Sequence, residues 1–460
     1  MRELYEPTWE SLSKYVVPGW FRDAKFGIFL HWGVYSVPAF ENEWYPRNMY
    51  LKGSPAYEHH LKTYGPQKEF GYKDFIPRFT AERWEPEEWA SLFEEAGAKY
   101  VVLVAEHHDG FSLWDSELNR WNAAKMGPKR DVVAELSRAV RNRGMKFGVS
   151  YHRAEHWWFF EGGRTFDSDV NDPKYADLYG PAMPSDTQPN QAFLEDWLKR
   201  AEELVIKYHP SLFYFDWWIE NSAFERYLRR FASFYYNEGA KWGEGEEPVL
   251  FYKHNAFPEG AAVLDMERGK LGKARALPWQ TDTSVCWDTW GYTEGCKLRS
   301  PYSVITDLLD VVAKNGNLLL NIGPKPDGTI PEGQANLLKE VGAWLRKYGE
   351  AVYSTRPWER CCEGPTRTEA GEFKEGEVAY TAKDFRFTWK GNLVYAMGLG
   401  DPHGSTLAIR SFSSALSPRA KAVSLIGDKN AIDYEQRDEG LIAKLHEVPK
   451  APYALAIQLD

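Results

Sequence analysis

Short apolar runs alternate with longer amphipathic segments along the first three quarters of the chain. Eight of the apolar runs have the composition of buried strands, and each is bounded by polar or glycine-containing segments. The predicted strands are Lys25–His31, Tyr100–Ala105, Lys146–Tyr151, Leu212–Asp216, Val249–His254, Ala261–Glu267, Gln280–Cys286 and Asn317–Ile322. Strands that alternate with helices are typical of a mostly parallel sheet.

Periodic segments with apolar residues three and four positions apart predict the helices between these strands. The clearest are Glu87–Glu95, Asp131–Asn142, Ala192–Tyr208 and Tyr302–Lys314. A further helix is predicted to open near Pro331, a residue tolerated in a first turn, and to end near Tyr348. The gaps after the fifth and sixth strands are too short for full helices, so any closed barrel here is irregular.

The pattern changes from Pro357 onward. Alternating short strands are separated by turns rich in glycine, aspartate and lysine, such as 385–389, 390–392 and 393–396. This pattern predicts a hairpin-rich β domain of about 100 residues.

Charge and hydropathy exclude two classes of partner. The chain carries 56 Lys and Arg against 66 Asp and Glu, a net charge of −10, whereas a nucleic-acid partner needs a basic face. We therefore expect no nucleic-acid partner. No apolar run approaches the ~18 residues of a membrane span, so we expect no membrane partner. The first residues lack the pattern of a secretory signal, which favours a cytoplasmic protein, or a secreted one if a leader was removed.

The four cysteines are too few for a disulfide scaffold, and none has the spacing of a zinc site. The adjacent pair Cys361 and Cys362 is predicted to remain as two free thiols, because bonding neighbours introduces strain. Aromatic residues are abundant, at 15% of the chain, and their rings suit the apolar face of a sugar.

Polar residues concentrate where the predicted strands end. In a closed parallel barrel these ends converge on one mouth, where the chemistry takes place. Six of the 11 histidines lie at or beside a strand end, and they are His31, His107, His108, His152, His156 and His254. We interpret this concentration as a functional mouth.

Two carboxylates at strand ends are the candidate catalytic pair. Asp216 stands among bulky apolar residues, where a buried charge is costly unless it is paired or used. Glu267 ends the sixth strand beside Arg268. Two carboxyl groups across a pocket are what glycoside cleavage needs, because one attacks the anomeric carbon while the other donates a proton.

Several long motifs, in the right order, resemble the α-L-fucosidases of glycoside hydrolase family 29. The matching stretches are Trp20–Gly33, Asn42–Tyr45, Glu106–Phe111, Trp121–Ala123, Gly127–Asp131 and Asn315–Pro324. The resemblance implies an α/β fold, an irregular (β/α)₈-like, TIM-type barrel over residues 1–355 followed by a C-terminal β-sandwich over 356–460. It also implies an exo-acting hydrolase that releases terminal α-L-fucose with retention.

The resemblance assigns roles to individual residues. Asp216 matches the family's nucleophile, and the matches to its fucose-binding residues are His31, Glu43, Trp44, His107, His108 and Tyr151. Because Ser150-Tyr151-His152 departs from the usual Tyr-Tyr-Ser, His152, Glu155, His156 and Trp157 are alternatives for that wall. Arg268 and Gln280 complete the candidate substrate-binding set.

The acid is the larger departure from the family. Many relatives have Trp-Glu where this chain has Trp279-Gln280, and glutamine cannot donate the required proton. Glu267 is then the predicted acid, with Asp282 and Glu43 as alternatives. Arg268 would lower the pKa of Glu267, but neighbours on an extended strand point to opposite faces.

Three other functions remain open. A metal-dependent barrel hydrolase would use the mouth histidines as ligands, although adjacent His107 and His108 are expected to diverge. A non-catalytic fucose-binding homologue would explain Gln280, and the same machinery could act on a galactoside. We expect no cofactor and no metal, a small-molecule or oligosaccharide substrate, and leave a homo-oligomer open.

Overall fold

Eight parallel strands form a closed barrel in the computed structural model, which describes residues 4–243, 245–428 and 431–460. Each strand pairs with the next along the chain, and β8 pairs with β1. The strands are β1 Phe26–Leu30, β2 Tyr100–Glu106, β3 Lys146–Tyr151, β4 Leu212–Phe215, β5 Val249–Lys253, β6 Val263–Asp265, β7 Trp279–Ser284 and β8 Gly316–Ile322. All eight coincide with predicted strands, so the predicted barrel is confirmed.

Helices surround the barrel and flank its connections. They are α1 Trp9–Leu12, α2 Gly19–Ala24, α3 Tyr45–Asn48, α4 Pro55–Thr63, α5 Pro86–Glu95, α6 Val132–Asn142, α7 Ala176–Tyr179, α8 Gln191–Tyr208, α9 Glu225–Gly239, α10 Pro301–Ala313 and α11 Glu332–Tyr348. The five predicted helices correspond to α5, α6, α8, α10 and α11. The chain runs from β5 to β6 and from β6 to β7 without a helix, over residues 254–262 and 266–278, which confirms the irregularity.

Aromatic and aliphatic side chains fill the inside of the barrel. They form a cluster separate from the core between the barrel and its helices, and its members include Phe29, Tyr100, Tyr214 and Phe251. Because this filling is solid, the mouth of the barrel has a closed floor.

Two antiparallel sheets follow the barrel. Their strands are β9 Arg356–Glu363, β10 Phe385–Lys390, β11 Leu393–Gly398, β12 Thr406–Ile409, β13 Ala420–Leu425, β14 Asp433–Arg437, β15 Gly440–Lys444 and β16 Tyr453–Leu459. One sheet has the order β13-β16-β11-β10-β9 and the other β12-β15-β14. The predicted fold class, a TIM-type barrel with a C-terminal β-sandwich, is confirmed.

One disulfide joins Cys286 and Cys296 just beyond β7, a pairing that the sequence did not predict. Cys361 and Cys362 are free, as predicted. Within the described ranges, none of the helices combines the length and apolar character that a bilayer crossing requires.

Candidate active site

A cavity of about 260 Å³ lies at the carboxyl ends of the barrel strands. This volume is below the roughly 300–1,000 Å³ of pockets that hold drug-sized ligands, so the cavity suits one small ring. Its walls come from nearly every barrel connection and from one residue of the C-terminal region. The lining residues are Phe29, His31, Glu43, Trp44, His107, His108, His152, Glu155, Asp216, Trp217, Glu267, Asp282, Trp290 and Phe373.

Asp216 follows β4 directly and is held as an anion. Its Oδ2 lies 3.2 Å from Nδ1 of His152 and 3.6 Å from Nε2 of His108. Burial opposes ionisation, but the Nδ1–H of His152 and the Lys253 ammonium outweigh it and hold the pKa of Asp216 well below its ordinary value. The side chain is therefore an ionised carboxylate that lines the cavity.

Hydrogen bonds around Asp216 define the tautomers of its neighbours. The Ser150 hydroxyl lies 2.6 Å from Nε2 of His152, which leaves Nδ1 of that ring to carry the proton toward Asp216. Nδ1 of His108 lies 2.8 Å from the His152 carbonyl oxygen, so this nitrogen donates and Nε2 of His108 is an acceptor. Burial lowers the pKa of His108 to about 3, which keeps its ring neutral.

Glu155 is a protonated carboxylic acid in the cavity wall. Its Oε2 lies 3.4 Å from Nε2 of His108. Burial and the charges of Asp216, Glu220 and Glu267 raise the pKa of Glu155 well above its ordinary value. A neutral Glu155 can donate to the acceptor nitrogen of His108.

Two more histidines and one glutamate complete the polar wall. Nδ1 of His31 lies 2.7 Å from Oδ1 of Asn321, and burial lowers the pKa of His31, so its other nitrogen is an acceptor. Nδ1 of His107 is buried and has no hydrogen-bond partner among the described residues. Oε2 of Glu43 accepts a hydrogen bond from the backbone N–H of Trp290 at 2.9 Å. Trp290 lies in the loop that the Cys286–Cys296 disulfide closes. These groups are arranged to bind hydroxyls.

Glu267 has the opposite electrostatic environment from Asp216. Burial raises the pKa of Glu267 to about 7, with the nearby charges of Asp282 and Asp216 adding to the effect and Lys253 opposing it. The indole N–H of Trp217 donates to its Oε2. Near neutral pH, Glu267 therefore retains a proton that it can give away.

A buried charge cluster lies under both carboxyl groups. Nζ of Lys253 is 2.8 Å from Asp265, 2.8 Å from Asp282 and 3.6 Å from Glu267. Burial and the charge of Asp282 raise the pKa of Asp265 well above its ordinary value. The Lys253 ammonium is thus the partner of three carboxyl groups, which cannot all be ionised at low cost. This shortage of positive charge helps to keep Glu267 protonated.

The structure places five of the predicted substrate-binding residues and alternatives outside the cavity lining. One of them, His156, has its Nδ1 2.8 Å from the His108 carbonyl oxygen. Tyr151 points outward, where its hydroxyl donates to the Trp197 carbonyl oxygen at 3.1 Å. Trp157 packs against Phe193 in the outer layer. The nearby residues His152 and Glu155 line the cavity in place of Tyr151 and Trp157, respectively.

Gln280 and Arg268 are also absent from the cavity lining. Gln280 lies one layer below the cavity, where it donates to Asp265 at 2.7 Å and accepts from Tyr100 at 2.8 Å. The Arg268 guanidinium turns away from Glu267 to pair with Glu375, and lies 4.6 Å from the Trp290 ring centre.

The remaining predicted residues lie together in the cavity wall. They are His31, Glu43, Trp44, His107, His108, His152, Glu155, Asp216, Glu267 and Asp282. His107 and His108 do not diverge as expected, because β2 has ended at Glu106 and the following turn presents both rings to the cavity. Lys253, Trp290 and Phe373 were missed, although a lone lysine at the end of an aromatic strand was a usable signal for Lys253.

Two groups of side chains could also hold a metal ion. The first group is His31, His107 and His152, and the second is His108, His152 and Asp216. Within each group the potential ligand atoms lie within 4.8 Å of one another. These acceptor nitrogens serve equally well as hydrogen-bond partners for hydroxyl groups.

Comparisons with known proteins identify the family to which this chain is similar. The α-L-fucosidase family model matches residues 1–350. The plasma α-L-fucosidase of Pongo abelii is 33% identical over 476 residues, covering 98% of this chain and 92% of that protein. The human tissue α-L-fucosidase is 32% identical and covers 99% and 91%. The crystal structure of Thermotoga maritima α-fucosidase in complex with fucose has a TM-score of 0.78 at 33% identity, covering 98% of this chain and 100% of that one.

Proposed function

Because this chain belongs to the α-L-fucosidase family of glycoside hydrolases, we propose that it is a retaining, exo-acting α-L-fucosidase. Its substrates are glycans or glycoconjugates that end in an α-L-fucosyl residue. The observation that carries the proposal is that the carboxyl groups of Asp216 and Glu267 line the same cavity. Their surroundings favour the ionised form of Asp216 and the protonated form of Glu267. Double displacement needs this combination.

The reaction takes two steps. A carboxylate oxygen of Asp216 attacks the anomeric carbon, the glycosidic C–O bond breaks, and the proton of Glu267 moves to the departing oxygen. The product of this step is an ester between Asp216 and fucose. Water then attacks the same carbon and gives a proton to Glu267, and the ester C–O bond breaks to release fucose with its original configuration.

The cavity wall supports recognition of fucose. The acceptor nitrogens of the histidines, together with Glu43, suit the ring hydroxyls. The rings of Phe29, Trp44 and Trp290 line the cavity and give it apolar surface that suits the C5 methyl group of fucose. A pocket of this size with a closed floor favours a terminal residue over a sugar inside a chain.

A pair of aryl glycosides tests the substrate class. We expect turnover of an aryl α-L-fucoside, with kcat/KM about 10²-fold above that of the matching α-L-galactoside, which carries a hydroxymethyl group in place of the methyl group. ¹H NMR of the first-formed sugar should show the α anomer. A β anomer would exclude double displacement, and no turnover at all would favour a fucose-binding protein. Activity lost to a chelator and restored by a metal ion would favour the metal hydrolase.

The pH profile tests the assignment of the two carboxyl groups. Asp216 is ionised across the working range because its pKa is depressed, whereas Glu267 is protonated only below its pKa of about 7. For a substrate with a poor leaving group, kcat/KM should therefore be level in mild acid and fall about tenfold per pH unit above neutrality. A profile that instead rises through pH 7 would contradict these protonation states.

A further inference from the structure

A segment of the C-terminal region reaches back to the barrel mouth. Between β9 and β10, residues 371–375, here called the strap, run along the loop that carries Glu267. Gly371 and Lys270 exchange two backbone hydrogen bonds, of 2.8 and 3.0 Å. The Phe373 N–H donates to the Glu267 carbonyl oxygen at 2.9 Å, and the Lys374 N–H to the Arg268 carbonyl oxygen at 3.0 Å. The strap is thus attached to the loop of the acid.

Buried charges fix the end of the strap. The Glu375 carboxylate pairs with Arg268, lies 3.4 Å from Arg299 and accepts a hydrogen bond from the Thr283 hydroxyl. All four side chains are largely buried. A strap held at this point has a defined position over the mouth.

The strap presents one aromatic ring to solvent at the rim of the cavity. Phe373 is 58% exposed, so core packing does not explain the residue. Its φ of 56° lies in the left-handed region, which is unfavourable for a bulky side chain. Its ring is nearly parallel to that of Trp217, with centres 6.1 Å apart and an interplanar angle of 16°. Trp217 in turn donates to Glu267.

We propose that Phe373, together with Trp217, forms the platform for the leaving group, with Phe373 determining specificity for the second sugar. This inference rests on the proposed function. The departing oxygen must receive the proton of Glu267, so the group attached to it leaves along the side of the cavity that Trp217 and Phe373 line. An exposed ring at this place suits the apolar C–H face of a hexopyranose.

The test compares two substrates that need the acid equally. The first is the fucosylated disaccharide that the wild type cleaves best, and the second is methyl α-L-fucoside, whose methyl group is too small to cover the ring. In Phe373→Ala we expect kcat/KM to fall about tenfold for the disaccharide, mostly through KM, and to change less than twofold for the methyl fucoside. Phe373→Tyr should retain the wild-type values.

Three other outcomes would contradict the proposal or the function on which it rests. Equal losses on both substrates would mean that Phe373 acts only by bracing the Glu267 loop, and no loss on either would mean that the second sugar does not contact the ring. Trp389→Ala is the matched control, since Trp389 is 43% exposed on β10 and should affect neither substrate. A wild type inactive on both substrates would instead reject the proposed function.

Discussion

Asp216→Gly is expected to lose on the order of 10⁴-fold in kcat on an aryl α-L-fucoside, because the variant cannot form the covalent intermediate. The change also removes a charge that His152 and His108 contact, so the fold should be checked by its melting temperature. Activity measured with and without added azide then separates chemistry from folding. Azide fits the vacated space, attacks the anomeric carbon from the same side, and should yield β-L-fucosyl azide.

The control is Glu340→Ala, which removes an exposed carboxylate on the outer helix α11. It should keep activity within about threefold, as surface substitutions away from special features usually have small effects. Asp216→Gly activity within tenfold of the wild type, or an azide product of α configuration, would rule out Asp216 as the nucleophile.

Glu267→Ala should separate substrates by their leaving groups. For methyl α-L-fucoside we expect kcat/KM to fall about 10³-fold, because the departing oxygen then lacks a proton donor. For an aryl fucoside with a strongly acidic phenol, kcat/KM should fall less than about tenfold, since that phenolate leaves without help. On the activated substrate kcat should still drop, because the second step loses its base.

The pH profile provides the internal check on this variant. The fall in kcat/KM above pH 7 should disappear in Glu267→Ala with the activated substrate, because the titrating group is gone. Asp282→Asn is the comparison for the alternative acid, since Asp282 also lines the cavity. Equal losses of Glu267→Ala on both substrates, with the fall retained, would assign the acid elsewhere.

The barrel was predictable from sequence because its strands are continuous apolar runs, and because strand ends converge for any closed parallel sheet. The same rule brought Asp216, Glu267 and four of the six predicted histidines to one cavity, whereas His156 and His254 do not line it. The rule fails at single-residue resolution. Tyr151 and His152 are adjacent, yet one contacts α8 and the other contacts Asp216, and only the exact end of β3 decides which.

Depth in the barrel was the second limit. Gln280 and Asp282 share the inner face of β7, but only Asp282 reaches the cavity, because Gln280 lies a layer lower beside Asp265 and Tyr100. The glutamine is therefore a floor residue here rather than a missing acid. Trp290 and Phe373 could not be predicted from sequence for a different reason, because they reach the mouth on loops that lie far apart in the sequence.

Attachment of the strap has a consequence for protein engineering. A fragment that stops after α11 would keep all eight barrel strands and the polar wall around Asp216. It would also leave Arg268 and Arg299 without their Glu375 carboxylate, and the backbone of the Glu267 loop without its hydrogen bonds to residues 371–374. The smallest fragment expected to keep the complete site is therefore the barrel together with the two C-terminal sheets. Chimaeras between relatives should exchange the barrel and these sheets as one unit.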